Sequence, residues 1–267
     1  MAWNKTMTTT DTPAGSYQLE VLETEHYTEK LFRFRTHRPR EFRFRSGEFV
    51  MIGLPQVERI WRAYSVASPS WDEELEFYSI KVPDGPLTSH LQHVKKGDCV
   101  FMKKKPTGTL VHDALLPGKR LYMFSTGTGL APFASVMRDP ETYEKFDEVI
   151  VTHTCREVAE LRYGYDLIQQ ITQHEFLGEM TAGKLRHLAT STREPSPVMG
   201  RITDLITSQK LFELLDLPPL DAQTDRVMMC GSMPMIKDTK ACVEAAGLTE
   251  GSNSMPGQFV VERAFVG

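Results

Sequence analysis

Arg62, Tyr64 and Ser65 put a cation, a flat aromatic ring and a hydroxyl into the short stretch Arg62-Ala63-Tyr64-Ser65-Val66. An arginine can pair with a phosphate, a tyrosine can stack on a ring, and a serine can hydrogen-bond a ring nitrogen. That set suits a flat ligand that carries phosphate. In an extended chain successive side chains point to opposite faces, so Arg62 and Tyr64 share one face, with Ser65 on the other or at a bend. Taken alone, the stretch reads first as an amphipathic strand with a surface arginine.

A second set of residues follows closely. Pro83-Asp84-Gly85-Pro86 makes a turn directly after a strand, and Leu87, Leu91 and Val94 then recur at helical spacing. A helix start at Pro86-Leu87-Thr88 leaves backbone N–H groups free for an anion, with the Thr88 hydroxyl beside them. Two phosphate-competent elements so close together favour one bound diphosphate cofactor.

The second half of the chain carries another such element. The apolar run Arg120–Phe124 leads into Ser125-Thr126-Gly127-Thr128-Gly129-Leu130-Ala131-Pro132, and a helix over Pro132–Arg138 follows. Strand, glycine turn and helix are the context in which backbone approaches a pyrophosphate. The run reads G-x-G-L-A-P, so the general dinucleotide fingerprint is not met. Cys230-Gly231-Ser232 follows a further strand, as does Thr154-Cys155-Arg156. Thr192-Arg193 and Gly200-Arg201 add two more cations. Three arginines near one nucleotide edge form a clamp for an extra phosphate, the 2′-phosphate of NADP. No acidic residue is evident where an NAD-type ribose would need one.

These residues need elements to hold them. Short alternating strands run from Tyr17 to about Met102: Tyr17–Glu23, Lys30–Arg35, Glu48–Ile52, Arg62–Ala67, Leu75–Val82 and Asp98–Met102. Turn residues separate them, and the spacing predicts a closed antiparallel β-barrel. One helix over 83–94 interrupts it. After Pro117-Gly118, strands alternate with helices: Glu148–His153, Glu160–Gln173, a strand and turn around Thr181–Ala189, Ile202–Leu215, Asp225–Cys230, Pro234–Ala246 and Phe259–Phe265. Leu161, Leu167, Ile168 and Ile171 form one inward face, and Ile202, Leu205, Ile206 and Leu214 another. This alternation predicts an α/β domain with a doubly wound, mostly parallel sheet. We therefore divide the chain into a flexible N-terminal tail (1–15), a β-barrel domain (16–117) and an α/β domain (118–267).

Composition narrows the classes. The 267 residues are 40% apolar and 25% charged, enough for two globular domains. A net charge of −4 gives nucleic-acid binding no electrostatic support. No run of 18 apolar residues predicts a membrane span, and the threonine-rich start lacks an apolar signal core. Cys99, Cys155, Cys230 and Cys242 form no CxxC pair, so neither a zinc site nor an iron–sulfur cluster is expected. Free thiols without a signal point to the cytoplasm.

Together, four motifs in one order resemble the ferredoxin/flavodoxin–NADP reductase family, in its bacterial branch. Arg62-Ala63-Tyr64-Ser65 looks like its flavin motif and Gly85-Pro86-Leu87-Thr88 like its flavin-pyrophosphate motif. Thr126–Pro132 and Cys230-Gly231-Ser232-Met233 look like its two NADP motifs. The resemblance runs from about Tyr17 to the C-terminus. It implies FAD in the barrel and NADP(H) on the α/β domain. It implies a monomer that exchanges electrons with ferredoxin or flavodoxin, NADPH being the donor.

Carried onto this chain, the resemblance implies that Arg62, Ala63, Tyr64, Ser65 and Val66 bind FAD. Arg62 would hold the phosphate, Tyr64 would stack on the isoalloxazine, and Ser65 would lie near N5. Tyr78, Pro86, Leu87 and Thr88 would complete that site, with Thr128 at the boundary of the two cofactors. Thr126, Gly127, Gly129, Cys230, Gly231 and Ser232 would bind NADP, with Arg156, Thr192, Arg193 and Arg201 at the 2′-phosphate. Ser65, Cys230 and Ala264 would border the reacting rings. Ala264 takes the place of the plastid branch's terminal tyrosine, and Phe265 would cover another part of the FAD. Lys103, Lys104, Lys105, Arg33, Arg43 and Arg45 are candidate cations for docking an acidic carrier. Two other readings remain open, an oxygenase or free-flavin reductase and a non-catalytic nucleotide-binding subunit.

Overall fold

The computed structural model describes residues 12–263, the side chains of Glu58 and Arg59 excepted, so Ala264 and Phe265 lie outside the described residues. Strands β1 (Ser16–His26), β2 (Leu31–His37), β3 (Phe49–Leu54), β4 (Val57–Ser65), β5 (Glu74–Ile80) and β6 (Cys99–Lys103) form one sheet, and helix α1 (Thr88–Leu91) lies between β5 and β6. The sheet order is β4-β3-β6-β1-β2-β5, with antiparallel pairing throughout. Alternation sends every second residue inward, so Phe32, Phe34, Phe77, Val50, Ile52 and Val100 fill the centre without solvent contact. The expected barrel is present as this curled sheet, with its seam between β4 and β5.

At the seam the chain changes partner. Val66 N donates to Glu48 O beside β3 (3.0 Å), and Ala67 N then donates to Glu76 O on β5 (2.8 Å). The strand expected over Arg62–Ala67 therefore ends at Ser65. Two other expectations change. Part of the predicted tail is held: Ser16 N donates to Pro13 O (3.1 Å), Lys104 N to Gly15 O (3.0 Å), and Lys103 Nζ to Ala14 O (3.2 Å). Residues 1–11 lie outside the described residues. The helix expected over 83–94 contracts to the single turn α1. A hydrogen-bonded turn from Val82 to Gly85 (3.0 Å) uses up its first residues. Leu87, Leu91 and Val94 are nonetheless buried, as their spacing predicts.

The second half is β7 (Arg120–Thr126), α2 (Leu130–Met137), α3 (Pro140–Lys145), β8 (Glu148–Cys155), α4 (Arg162–Gln173), α5 (Leu177–Thr181), β9 (Leu185–Ser191), α6 (Ile202–Thr207), α7 (Lys210–Leu215), β10 (Asp225–Gly231), α8 (Met233–Ala245) and β11 (Phe259–Arg263). The sheet runs β11-β10-β7-β8-β9, every neighbour pair parallel. Residues of α2 and α4 cover one face and residues of α6 and α8 the other, which is the doubly wound arrangement. Every residue of β10 is buried, as a strand covered on both faces requires.

The helix expected over Ile202–Leu215 is two. Gln209 takes a left-handed φ of 65° between α6 and α7. That residue resets the helical phase, so Leu211 and Phe212 turn inward and Leu214, expected inside, is exposed. Helix α3, absent from the sequence reading, starts at an Asp139 cap that accepts from Glu141 N (3.1 Å), with a proline in the first turn.

The chain leaves β7 for β8 and β9, then crosses back to β10 on the other side. The crevice between the carboxyl ends of β7 and β10 is thus the switch point at which sheets of this kind bind ligands.

Candidate active site

The two glycine loops meet at that crevice. Cys230 pairs with Ser125 across β10 and β7. Just beyond, Ser232 N donates to Thr126 Oγ1 (3.3 Å). A Cβ on Gly129 would lie 2.2 Å from Cys230 O, and one on Gly231 would lie 2.3 Å from Thr126 Oγ1. Neither glycine can carry a side chain without parting the loops, and the absence of both side chains leaves bare backbone at the sheet's end. Gly127 is needed for another reason, its φ of +54°. Thr128 is buried in the same turn. His153 Nε2 lies 3.2 Å from Gly127 O, and burial depresses the pKa of this imidazole to about 3, so the ring is neutral. Cys230 is buried, and its thiol is held far above the usual range by burial and by Glu262. It is therefore no thiolate; it offers a small apolar wall.

The barrel half lies along β4 and its seam. Arg62 and Tyr64 pair with Ile52 and Val50, so they share a face as expected, and Ser65 pairs with Phe49. Ala63 is exposed and Val66 is buried. Arg62 donates to Trp61 O (3.0 Å) and forms no ion pair among the described residues, which leaves its charge for an anion. The Tyr64 hydroxyl, raised to about 12 by burial, meets the Ser79 side chain. Tyr78, next along β5, stacks on Tyr163 of α4 with ring centres 4.0 Å apart, and its buried hydroxyl has no partner among the described residues.

At α1 the sequence expectation is partly redirected. The Thr88 hydroxyl donates to Val82 O (3.2 Å), stabilising the turn instead of standing free. The amides of Ser89, His90 and Leu91 bond to Gly85 O and Leu87 O. The Leu87 and Thr88 amides are the ones left open to an anion among the described residues, beside exposed Pro86.

The arginine set converges at the neighbouring strand ends. Thr192 N donates to Cys155 O and Arg193 N to Arg156 O (both 3.0 Å), and Gly200 N donates to Ser191 O (3.0 Å). Arg156, Arg193 and Arg201 are all exposed there. Acidic residues are present after all, but each is committed elsewhere. Glu157 pairs with Lys30 of the barrel (2.9 Å), and Glu194 accepts from Val158 N (2.7 Å).

Two expected docking cations are already engaged. Arg33 pairs with Glu23, Glu25 and Glu76 at 3.1, 2.9 and 3.0 Å, and Arg45 with Glu48 at 2.9 Å. Arg43 turns back onto Arg40 O and Phe42 O. Lys103 and Lys104 lie over the rings of Trp61 and Tyr17 (4.2 and 5.1 Å), while Lys104 and Lys105 are exposed. The sequence reading also missed Glu262. It pairs with Cys230 in the sheet and accepts from the Thr109 amide and hydroxyl, and burial raises its carboxyl to about 7. A charge directly after the apolar run Phe259–Val261, within the same strand, was the signal for it.

Among the described residues, an Arg62 without an ion pair, open amides beside Pro86, a Tyr78 hydroxyl without a partner and side-chain-free glycine loops fit a flavin dinucleotide facing a nicotinamide dinucleotide. Comparisons with known proteins agree. Residues 17–112 match the oxidoreductase FAD-binding domain and residues 123–241 the oxidoreductase NAD-binding domain. The chain is 58% identical over 249 residues to a flavodoxin/ferredoxin–NADP reductase of Rhodobacter capsulatus, covering 92% of each. It is 49% identical over 248 residues to a ferredoxin–NADP reductase of Azotobacter vinelandii, covering 92% of this chain and 96% of the relative. A crystal structure of a ferredoxin NADP+ reductase from Neisseria gonorrhoeae, with bound FAD and NADP, matches with a TM-score of 0.84 at 30% identity, over 95% of this chain and 100% of that one. Among the described residues no helix is long and apolar enough to cross a membrane.

Proposed function

The chain belongs to the ferredoxin–NADP reductase family, and on that premise we propose that it passes electrons from NADPH to a one-electron carrier, ferredoxin or flavodoxin. The observation that carries this reading is the junction of the two halves. The strand bearing Arg62–Ser65 ends beside the helix that grows from the Gly127–Gly129 turn, and that turn backs onto Cys230. Bound FAD would supply the conversion between two-electron and one-electron chemistry. The residues bind, align and shield.

In this reading residues 16–117 hold FAD and residues 118–267 hold NADP(H). Arg62 and the Leu87 and Thr88 amides neutralise the flavin's phosphates. Tyr64 stacks on the ring, and Ser65, at the strand's end, faces the site of hydride arrival. Thr126, Gly127, Gly129, Gly231 and Ser232 hold the nicotinamide half by backbone approach. Thr192, Arg193 and Arg201, with Arg156 beside them, select the 2′-phosphate. Buried Cys230 walls the nicotinamide and excludes water. The exposed lysines at Lys104 and Lys105 supply charge for an acidic carrier, and salt should slow that encounter.

The deciding experiment follows flavin absorbance in the purified protein. NADPH should bleach it rapidly and NADH slowly, and added ferredoxin or flavodoxin should then restore it. A protein that cannot be loaded with FAD would overturn the reading. Ser65→Ala with wild-type bleaching would remove Ser65 from its role.

A further inference from the structure

Glu76 sits on β5 at the boundary between the halves, with both carboxylate oxygens engaged and one of them bonded across it. Oε1 accepts from Arg138 Nη2 (3.0 Å) and from the Tyr163 hydroxyl (2.8 Å), both in the α/β half, and Oε2 accepts from Arg33 Nη1 (3.0 Å) in the barrel. Arg138 directly follows α2. Its Nη2 also donates to Ala67 O (2.5 Å), and its Nε closes back onto Ala134 O (3.0 Å). Beside it Ser135 Oγ donates to Ser68 O (2.7 Å), and Trp71 Nε1 donates to Arg138 O (3.0 Å). The barrel segment that follows Ser65 is thus bonded to the last turn of α2.

The first turn of the same helix grows out of Gly127–Gly129. Eight residues of α-helix form a stiff rod about 12 Å long. One end of that rod is the nucleotide loop and the other is fastened two residues beyond Ser65. Arg138 is largely buried, with 14% of its side chain exposed, and among the described residues its ion-pair partner is Glu76. Without that charge the guanidinium is an uncompensated buried cation and must withdraw, taking its bond to Ala67 with it. Burial opposes ionisation of Glu76, but Arg138 and Arg33 hold its carboxyl below the usual range, so the clamp is charged at neutral pH.

We propose that Glu76 is a positioning residue: through Arg138 it fixes the distance and angle between the Arg62–Ser65 strand and the Gly127–Gly129 loop. The proposal rests on the electron-transfer reading above for its effect on rate, and on geometry alone for its effect on the joining of the two halves.

The test compares FAD-loaded wild type, Glu76→Gln, Tyr163→Phe and Asp225→Asn. Asp225 is a buried carboxylate bonded to Arg120 (2.7 Å) wholly within the α/β half, at the end of the sheet away from the crevice. It controls for loss of stability alone. Glu76→Gln should keep its FAD and bind NADP+ nearly as wild type does. Its long-wavelength charge-transfer absorbance with NADPH should collapse, and bleaching at saturating NADPH should slow by about tenfold to a hundredfold, the cost of misplacement by about 1 Å. Tyr163→Phe, which keeps the ion pair, should show a smaller loss in the same direction. Asp225→Asn should melt earlier yet keep the charge-transfer band. Calorimetry without nucleotide supplies a readout independent of activity: wild type unfolds in one transition, and Glu76→Gln splits it into two. A Glu76→Gln protein with a wild-type band and one transition would overturn the proposal, as would a loss no different from that of Asp225→Asn. A wild type that NADPH does not bleach would instead defeat the electron-transfer reading, and the calorimetry would still decide the clamp.

Discussion

Gly127 and Gly129 stand two apart in one loop, and the structure assigns them different reasons for being glycine. An alanine Cβ at position 129 would meet Cys230 O at 2.2 Å and Cys230 C at 2.7 Å. Ordinary carbon–oxygen contact begins near about 3.3 Å, so the two loops must part by about 1 Å. The obstacle is strand backbone, and β10 is paired to β7 on one side and β11 on the other, so it cannot retreat alone. Overpacking of this kind costs about 1–3 kcal/mol. At position 127 nothing lies within 4 Å of the added carbon, but φ is +54°. Gly127→Ala therefore costs about 1–2 kcal/mol of left-handed strain and leaves the spacing of the loops intact.

Three measurements on FAD-loaded protein separate the two cases: the melting temperature, the NADP+ affinity read from the flavin spectrum, and the bleaching rate at saturating NADPH. Gly127→Ala should lose stability and lose less of its NADP+ affinity and bleaching rate than Gly129→Ala. Gly129→Ala should weaken NADP+ binding by about tenfold or more, equivalent to about 1.4 kcal/mol, and slow bleaching further because the reacting rings are displaced. Wild-type affinity and rate in Gly129→Ala would refute the cradle, and so would a Gly127→Ala protein impaired more deeply than Gly129→Ala.

Other expectations are independent of that loop. The raised carboxyl of Glu262 stabilises the fold only while it is protonated. Its contribution is complete below the unfolded carboxylate's range near 4.5 and is lost as pH rises through about 7, amounting to at most about 3 kcal/mol. The stability difference between wild type and Glu262→Gln, from denaturant melts at each pH, should follow that course; a flat difference would remove the assignment. Gln209→Gly relieves a left-handed backbone between α6 and α7 and should raise stability by about 0.5–1 kcal/mol in denaturant melts; a less stable variant would show that the bond from Gln209 Nε2 to Ile206 O (3.2 Å) outweighs that strain. Cys155, its thiol pushed up to about 12 by burial, and Cys230, raised well above the usual range by the same cause, should resist thiol reagents in the folded protein, whereas partly exposed Cys99 and Cys242 label first; mass spectrometry of a timed labelling course reads the order.

Much of the fold was legible because local rules decide it. Period-two alternation located the barrel strands, since each has one face on a single core. Apolar runs followed by glycine turns located the parallel strands, since both their faces are covered. The errors fall where a single backbone angle or a neighbouring chain segment intervenes. Gln209 offered no helix-breaking signal, since glutamine is a good helix former, yet its left-handed φ moved Leu214 to the surface and Phe212 inside. The Thr88 hydroxyl was read as standing free for an anion, but it bonds Val82 O, which depends on a turn geometry that the residue types do not specify.

Arg33 shows the deeper limit. Alternation along β2 sends Phe32 and Phe34 into the barrel and Arg33 outward, and an outward arginine reads as a solvated or docking cation. That face of the barrel meets the α/β half instead of solvent. Arg33 belongs there to a buried network that includes Glu76, Arg138 and Tyr163, residues separated by up to 130 positions in the chain (Arg33 to Tyr163). A pattern of period two states which way a side chain points, never what stands in front of it. The residues proposed to border the ligands were readable because loop chemistry is local. The residues proposed to hold the two sites at a fixed spacing were not, because their partners come from the other half of the chain. The same physics explains why the cost of breaking this network should appear first in alignment: the apolar cluster that joins the halves, with Leu31, Ala67 and Tyr78 against Leu130, Phe133 and Tyr163, stays in place when Glu76 loses its charge, and what is lost is the directional bonding that sets the angle between them.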